Sequence, residues 1–107
     1  MLFRSVFDEV DTGIGGRAAE AVGKKLKALA RTNQVLCVTH LPQVASFARH
    51  QWTIRKTRRK ERTVTTIELL EEADRLEELA SMLRGEARGE TTRKEAAEML
   101  AAARRRW

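Results

Sequence analysis

The chain has 107 residues, of which 42% are hydrophobic and 34% charged, with two Trp, three Phe and no Tyr. That length bounds one small domain with a modest, mostly aliphatic core; no run approaches the roughly 18 apolar residues of a membrane span, and the start has no secretory-signal pattern. Net charge is +6, with 13 basic against 5 acidic residues in positions 1–62 and 8 against 10 in positions 63–107. The basic half favours a polyanionic partner such as nucleic acid or nucleotide, although solvated Lys and Arg faces give the same balance.

Residues 1–7 have a short strand pattern interrupted by Arg4 and Ser5. Val6 and Phe7 run into Asp8 and Glu9, Asp11 follows, and Gly13, Gly15 and Gly16 precede a helical pattern. Apolar residues leading into adjacent carboxylates read as a buried strand ending at a polar edge, and the glycines permit close approach by a ligand or another chain. An acidic, glycine-rich turn between strand and helix is the plainer reading. The motif stands almost at the N-terminus, so the chain reads as the back half of something larger.

Residues 17–31 form an amphipathic helical pattern. Ala18, Val22, Leu26 and Leu29 make its apolar stripe, and Arg17, Lys24, Lys25, Lys27 and Arg31 read as its solvated face. Val35 to Val38 is a continuous apolar run with the length and β-branching of a buried parallel strand. It holds Cys37, the single cysteine, which reads as a small core residue in a reduced compartment. Thr39 and His40 end the run. A strand, helix, strand unit brings Asp8 and Glu9 to the same sheet edge as Thr39 and His40, the edge at which open α/β sheets bind ligands.

Pro42 opens a short helix with Leu41, Val44, Ala45 and Ala48 on one face. Residues 50–58 and 63–70 alternate as a β-hairpin around the basic stretch Thr57 to Arg62, and the change of apolar parity between Val64 and Ile67 leaves a bulge or a switch of packing face open. Asp74 is placed to cap a helix over 75–84, with Leu76, Leu79, Ala80 and Leu83 inward and Gly85 as its stop. Thr92 and Glu95 have capping-box spacing before a last helix that turns Ala96, Met99, Leu100 and Ala103 inward and ends in Arg104 to Arg106.

The chemistry concentrates at the first motif. Asp8 is the candidate Mg²⁺ ligand, since this hard cation takes one or two carboxylates plus phosphate and water. Glu9 is the candidate for orienting the attacking water, and His40 for donating a hydrogen bond to a terminal phosphate. A lone strand-end histidine is otherwise a structural residue. The phosphate cradle G-x-x-x-x-G-K-[ST] is absent from the chain, so it lacks the means to bind a nucleotide well alone. The hairpin cations Arg55, Lys56, Arg58, Arg59, Lys60 and Arg62 are a nucleic-acid candidate or a solvated tip. Trp52 is the lone nearby aromatic, which disfavours a base-stacking platform.

Phe7-Asp8-Glu9-Val10-Asp11-Thr12-Gly13-Ile14-Gly15-Gly16, with Cys37-Val38-Thr39-His40-Leu41-Pro42-Gln43-Val44-Ala45 placing His40 31 residues after Glu9, resembles the C-terminal lobe of the ATPase head in the RecN family. These are bacterial double-strand-break repair proteins related to the SMC ATPases. The resemblance covers residues 5–103, including Arg75 to Gly85. It implies an α/β fold, the C-terminal part of a P-loop NTPase (ABC/SMC-type head) with parallel core strands, a hairpin and two C-terminal helices, in one lobe over 1–107. It implies that Asp8 and Glu9 form the Walker B pair, that Asp11, Gly13, Gly15 and Gly16 belong to a D-loop facing a second head, and that His40 is the switch histidine.

By the same resemblance ATP and Mg²⁺ are the cofactors. The partners are an N-terminal lobe with the phosphate loop, a second head in an ATP-dependent homodimer, and DNA, with no membrane and a cytoplasmic, nucleoid-associated location. The family's phosphate loop, coiled coil and signature motif lie upstream of the matched region, so the chain is expected to be a truncation or fragment, inactive alone. A non-catalytic nucleic-acid-binding fragment and a lobe of another ABC-type ATPase are the competing readings.

Overall fold

The computed structural model describes residues 3–8, 15–84 and 89–105. In chain order these form β1 (Phe3–Asp8), α1 (Gly16–Leu29), β2 (Asn33–Val38), α2 (Pro42–Ala45), β3 (Trp52–Arg59), β4 (Arg62–Leu69), α3 (Glu72–Arg84) and α4 (Glu90–Arg104). β1 and β2 pair in parallel from Phe3 opposite Asn33 to Asp8 opposite Val38. β3 and β4 form a separate antiparallel pair. The described chain is thus α/β, with the expected hairpin and two final helices.

The core sits where the helices meet. Ala45 of α2, Leu79 and Ala80 of α3, and Ala96 and Leu100 of α4 form one buried cluster, with Leu76, Met82 and Leu83 packed against it. These are the inward positions that the 3.6-residue period assigns to the last two helices.

α1 departs from expectation. Its buried stripe is Ala19, Gly23 and Lys27, one position on from the apolar one. Close packing against α2 selects this small-residue face, because a bulkier stripe holds the two backbones apart. Lys27, expected on the solvated face, is 5% exposed. Its Nζ donates to Ala103 O at the end of α4 and lies 6.0 Å from the centre of the Phe47 ring. The apolar stripe is only part-covered: Ala18 and Leu29 are exposed, while Val22 and Leu26 line a shallow apolar cleft with Phe7.

β2 is not buried on both faces. Val35 and Cys37 are half-buried, whereas Leu36 and Val38 are exposed. Val6 pairs with Leu36, so Val6, Leu36 and Val38 share one open face, at 69%, 56% and 42% exposure. A parallel sheet normally has both faces covered; here α1 lies to one side only.

The hairpin ladder is continuous from Trp52 opposite Leu69 to Arg59 opposite Arg62, so it has no bulge. Val64 pairs with Thr57 on one face and Ile67 with Ile54 on the other, and both Val64 and Ile67 are exposed. The tip is tighter than the Thr57–Arg62 stretch suggests. Lys60 and Glu61 alone connect the strands, with φ of 45° and 65°, the two positive angles of a type I′ turn, without the Asn-Gly that usually supplies them. α3 begins at Glu72, which puts Asp74 inside its first turn rather than at the cap. α4 begins at Glu90 after Gly89, and Thr92 is buried within the helix instead of capping it. Gly85 and Arg106 lie outside the described residues.

Candidate functional site

The parallel register defines the edge where the candidate chemistry gathers. With Asp8 opposite Val38, both strands finish at the same level, and Thr39 and His40 continue from the end of β2. His40 is exposed at that edge. The turn around it is fixed locally: Leu41 N donates to Thr39 Oγ1 at 3.0 Å, and Val44 N and Ala45 N both donate to Leu41 O at 3.1 Å, opening α2. Pro42 at the first helical position lacks an N–H that would have no helical partner there.

Glu9, Asp11 and Gly13 lie outside the described residues. Gly15 and Gly16 form the entry to α1 in ordinary backbone, Gly15 at φ −83° and ψ 174°. A Cβ on Gly15 would meet nothing within 4 Å, and one on Gly16 only Gln43 Nε2 at 3.8 Å. Neither glycine is demanded by packing among the described residues. Gln43 Oε1 and Ser46 Oγ, both buried, have no hydrogen-bond partner among the described residues. No group of three or more His, Cys, Asp or Glu converges as a metal cage among the described residues; a Mg²⁺ site built from one carboxylate, water and phosphate needs none.

Behind α2 stands a residue that sequence reasoning passed over. Arg75, at 3% exposure, projects from α3 into the carbonyls at the end of α2 and just beyond it. Its Nη2 donates to Ala48 O at 2.6 Å, Ala45 O at 3.2 Å and Ser46 O at 3.3 Å. Nη1 reaches Arg49 O at 3.4 Å and Nε reaches Gln51 Oε1 at 3.1 Å. Burial lowers the guanidinium's pKa from its ordinary value and nearby Arg104 lowers it further, against the opposing pull of Glu72; arginine stays charged regardless. The available signal was its spacing: Arg75 stands four residues before Leu79, on the inward stripe of α3.

The hairpin cations are all exposed, but they do not share one face. Lys56 and Arg58 alternate with Ile54 and Trp52 on the face that also holds Ile67 and Leu69; Arg55, Arg59 and Arg62 lie on the other. Arg55 is partly neutralised by Glu68 at 3.5 Å. Lys56, Arg58, Arg59, Lys60 and Arg62 make no ion pair among the described residues. Arg59 and Arg62 stand directly opposite one another, a like-charge pairing that costs the ladder stability. No described helix is long and apolar enough to cross a membrane.

No family model matches the chain. It is 48% identical over 99 residues to the DNA repair protein RecN of Streptomyces coelicolor, covering 92% of this chain and 17% of that protein. The RecN of Deinococcus radiodurans is 50% identical over 96 residues, covering 90% and 17%, and that of Vibrio cholerae 46% over 98 residues, covering 92% and 18%. The chain thus spans about one sixth of the length of these relatives, as the 17% coverage states. At that identity across nearly all of its residues, the chain belongs to the RecN family of DNA repair proteins, as a segment of it.

Proposed function

We propose that residues 1–107 are the C-terminal lobe of a RecN ATPase head, in which ATP binding joins two heads and hydrolysis releases them during repair of DNA double-strand breaks. The observation that supports this best is the parallel register of β1 and β2, which sets the end of the Asp8 strand level with the strand that leads into His40.

In this reading Asp8 holds Mg²⁺ directly or through water, Glu9 orients the attacking water and accepts its proton, and His40 donates to a terminal phosphate oxygen. Bound Mg²⁺ supplies charge neutralisation across the phosphates. Phosphoryl transfer leaves the protein little covalent work, so positioning and electrostatics make up most of the catalysis. A carboxylate such as that of Asp8 suits this hard cation by its chemistry, whereas the chain holds no loop to cradle the phosphates.

That cradle belongs, on this proposal, to an N-terminal lobe. The open face of Val6, Leu36 and Val38 is the surface such a lobe would cover. Gly15 and Gly16, whose small size nothing among the described residues requires, join Asp11 and Gly13 as the surface for the opposing head. The setting is cytoplasmic and nucleoid-associated, with DNA as the partner of the whole protein.

The test is Glu9→Gln in a complete head. Such a head is expected to bind ATP and dimerise while turnover falls by about a hundredfold or more, in the range lost with a catalytic base. Unchanged turnover sinks the assignment of Glu9. The isolated chain is expected to show no magnesium-dependent ATP hydrolysis. A second reading, DNA contact by the hairpin, is favoured by its five cations that lack ion pairs among the described residues.

A further inference from the structure

We propose that Arg75 is the positioning residue for His40, holding the segment that presents this histidine. The inference rests on the reading of His40 as the group that meets the terminal phosphate.

α2 is a single turn of four residues, Pro42–Ala45. An isolated turn of this length is unstable, because helix nucleation fixes several residues for one hydrogen bond. Its last carbonyls have only short three-residue turns to close on: Val44 O accepts from Phe47 N and Ala45 O from Ala48 N, both at 3.1 Å. The segment is tied at its entry by β2 and the Thr39 hydroxyl, which accepts from Leu41 N. At its exit Arg75 gathers the carbonyls of Ala45, Ser46, Ala48 and Arg49 around one buried guanidinium. His40 and Ala45 are five residues apart, joined by Leu41 in extended backbone and the single turn Pro42–Ala45. Arg75 therefore acts on His40 through one turn of backbone.

The same guanidinium also holds Gln51, whose carbonyl accepts from Leu70 N at 2.9 Å across the base of the hairpin. One side chain thus joins the histidine segment, the hairpin root and α3. Lysine is a poor substitute: its point charge lacks the planar fork that satisfies several acceptors in fixed directions.

The test uses Arg75→Lys, which keeps a buried cation, with Arg75→Gln and His40→Ala beside it. Each is made in the 107-residue chain and in a complete head that pairs this segment with a RecN N-terminal lobe. In the chain, Arg75→Lys is expected to speed amide exchange of residues 44–48 by about tenfold, as local opening does, while α4 amides keep their protection. In the head, it is expected to lower kcat by about tenfold or more, the scale of a misplaced group, with KM for ATP within about twofold. Arg75→Gln is expected to exceed Arg75→Lys in both.

A kcat unchanged by Arg75→Lys, beside a His40→Ala head that has lost turnover, overturns the proposal. So does a loss of protection spread evenly over α3 and α4, which marks Arg75 as a general structural residue. A His40→Ala head with full turnover removes the reading of His40 itself, and the exchange pattern at 44–48 then decides separately whether Arg75 orders the segment.

Discussion

Gly23 lies directly against the Phe47 ring: a Cβ there would stand 2.4 Å from Phe47 Cδ2 and 3.0 Å from Gln43 O. Alanine in a helix interior is intrinsically better than glycine by about 1 kcal/mol, but the added methyl has no room. The ring is 8% exposed, and the other neighbour is backbone. Gly23→Ala is therefore expected to destabilise the chain by about 1–3 kcal/mol, the usual cost of overpacking. A melting temperature equal to or above the parent's would contradict this account of how α1 and α2 pack.

Leu79 and Leu36 should part company on truncation. Leu79 is fully buried at the centre of the helical cluster, so Leu79→Ala is expected to cost about 2–5 kcal/mol through reduced burial and the cavity left behind. Leu36 is 56% exposed on the open sheet face. Leu36→Ser is expected to move the stability of the chain by only about 0.5 kcal/mol, and to weaken association with an N-terminal lobe. Urea unfolding of the two variants, and a lobe-binding titration of the second, measure the contrast.

The Glu72–Arg104 pair ties the start of α3 to the end of α4, with N–O distances of 2.6 Å and 2.7 Å. The hydrogen bond from Arg104 holds the Glu72 carboxyl below its ordinary pKa of 4.5, helped by the charges of Arg104 and Arg75 and opposed by desolvation. A lowered folded-state pKa means that the stabilisation is present above the unfolded value and disappears as pH falls through the folded one. Both side chains are largely exposed, so its size is that of a surface pair, about 0.2–1 kcal/mol. Arg104→Gln is expected to be less stable than the parent at neutral pH and to converge with it in acid. A stability gap that persists below the folded pKa would refute the linkage.

Much of the scaffold was legible because local chemistry and tertiary packing agree. Leu79, Ala80, Ala96 and Leu100 follow the helical period straight into the core, and the strand, helix, strand order puts Asp8 and the approach to His40 at one edge, as the β1–β2 register displays. The illegible parts are those where packing overrides the local pattern. α1 buries Ala19, Gly23 and Lys27 because its neighbour α2 needs small residues and a long aliphatic stem. Arg75 reads as one more surface charge until the carbonyls beyond α2 are seen around it. Leu36 and Val38 carry the pattern of a buried strand, yet are open here; a continuous apolar run reports burial on both faces, and the described sheet has two strands with one face open. The turn at Lys60 and Glu61 was illegible for another reason, since neither residue favours a positive φ.

The hairpin tip is where DNA contact is to be measured. Two non-glycine residues in left-handed backbone and two arginines face to face across the ladder both cost stability, and together they hold Arg58, Arg59, Lys60 and Arg62 close at one end of a ribbon. A phosphodiester backbone would offset that repulsion by replacing like charge with opposite charge and releasing its own counterions. Replacing Arg58, Arg59 and Lys60 by Gln is expected to weaken binding to duplex DNA without regard to sequence. It should also flatten the dependence of affinity on salt by about 0.9 in log–log slope for each phosphate that is no longer neutralised. Arg55, already paired with Glu68 at 3.5 Å, is expected to contribute least. The measurement is a salt titration of DNA affinity for the parent and the triple variant, with circular dichroism to verify the fold. Equal slopes for the two proteins would assign these cations to solvent.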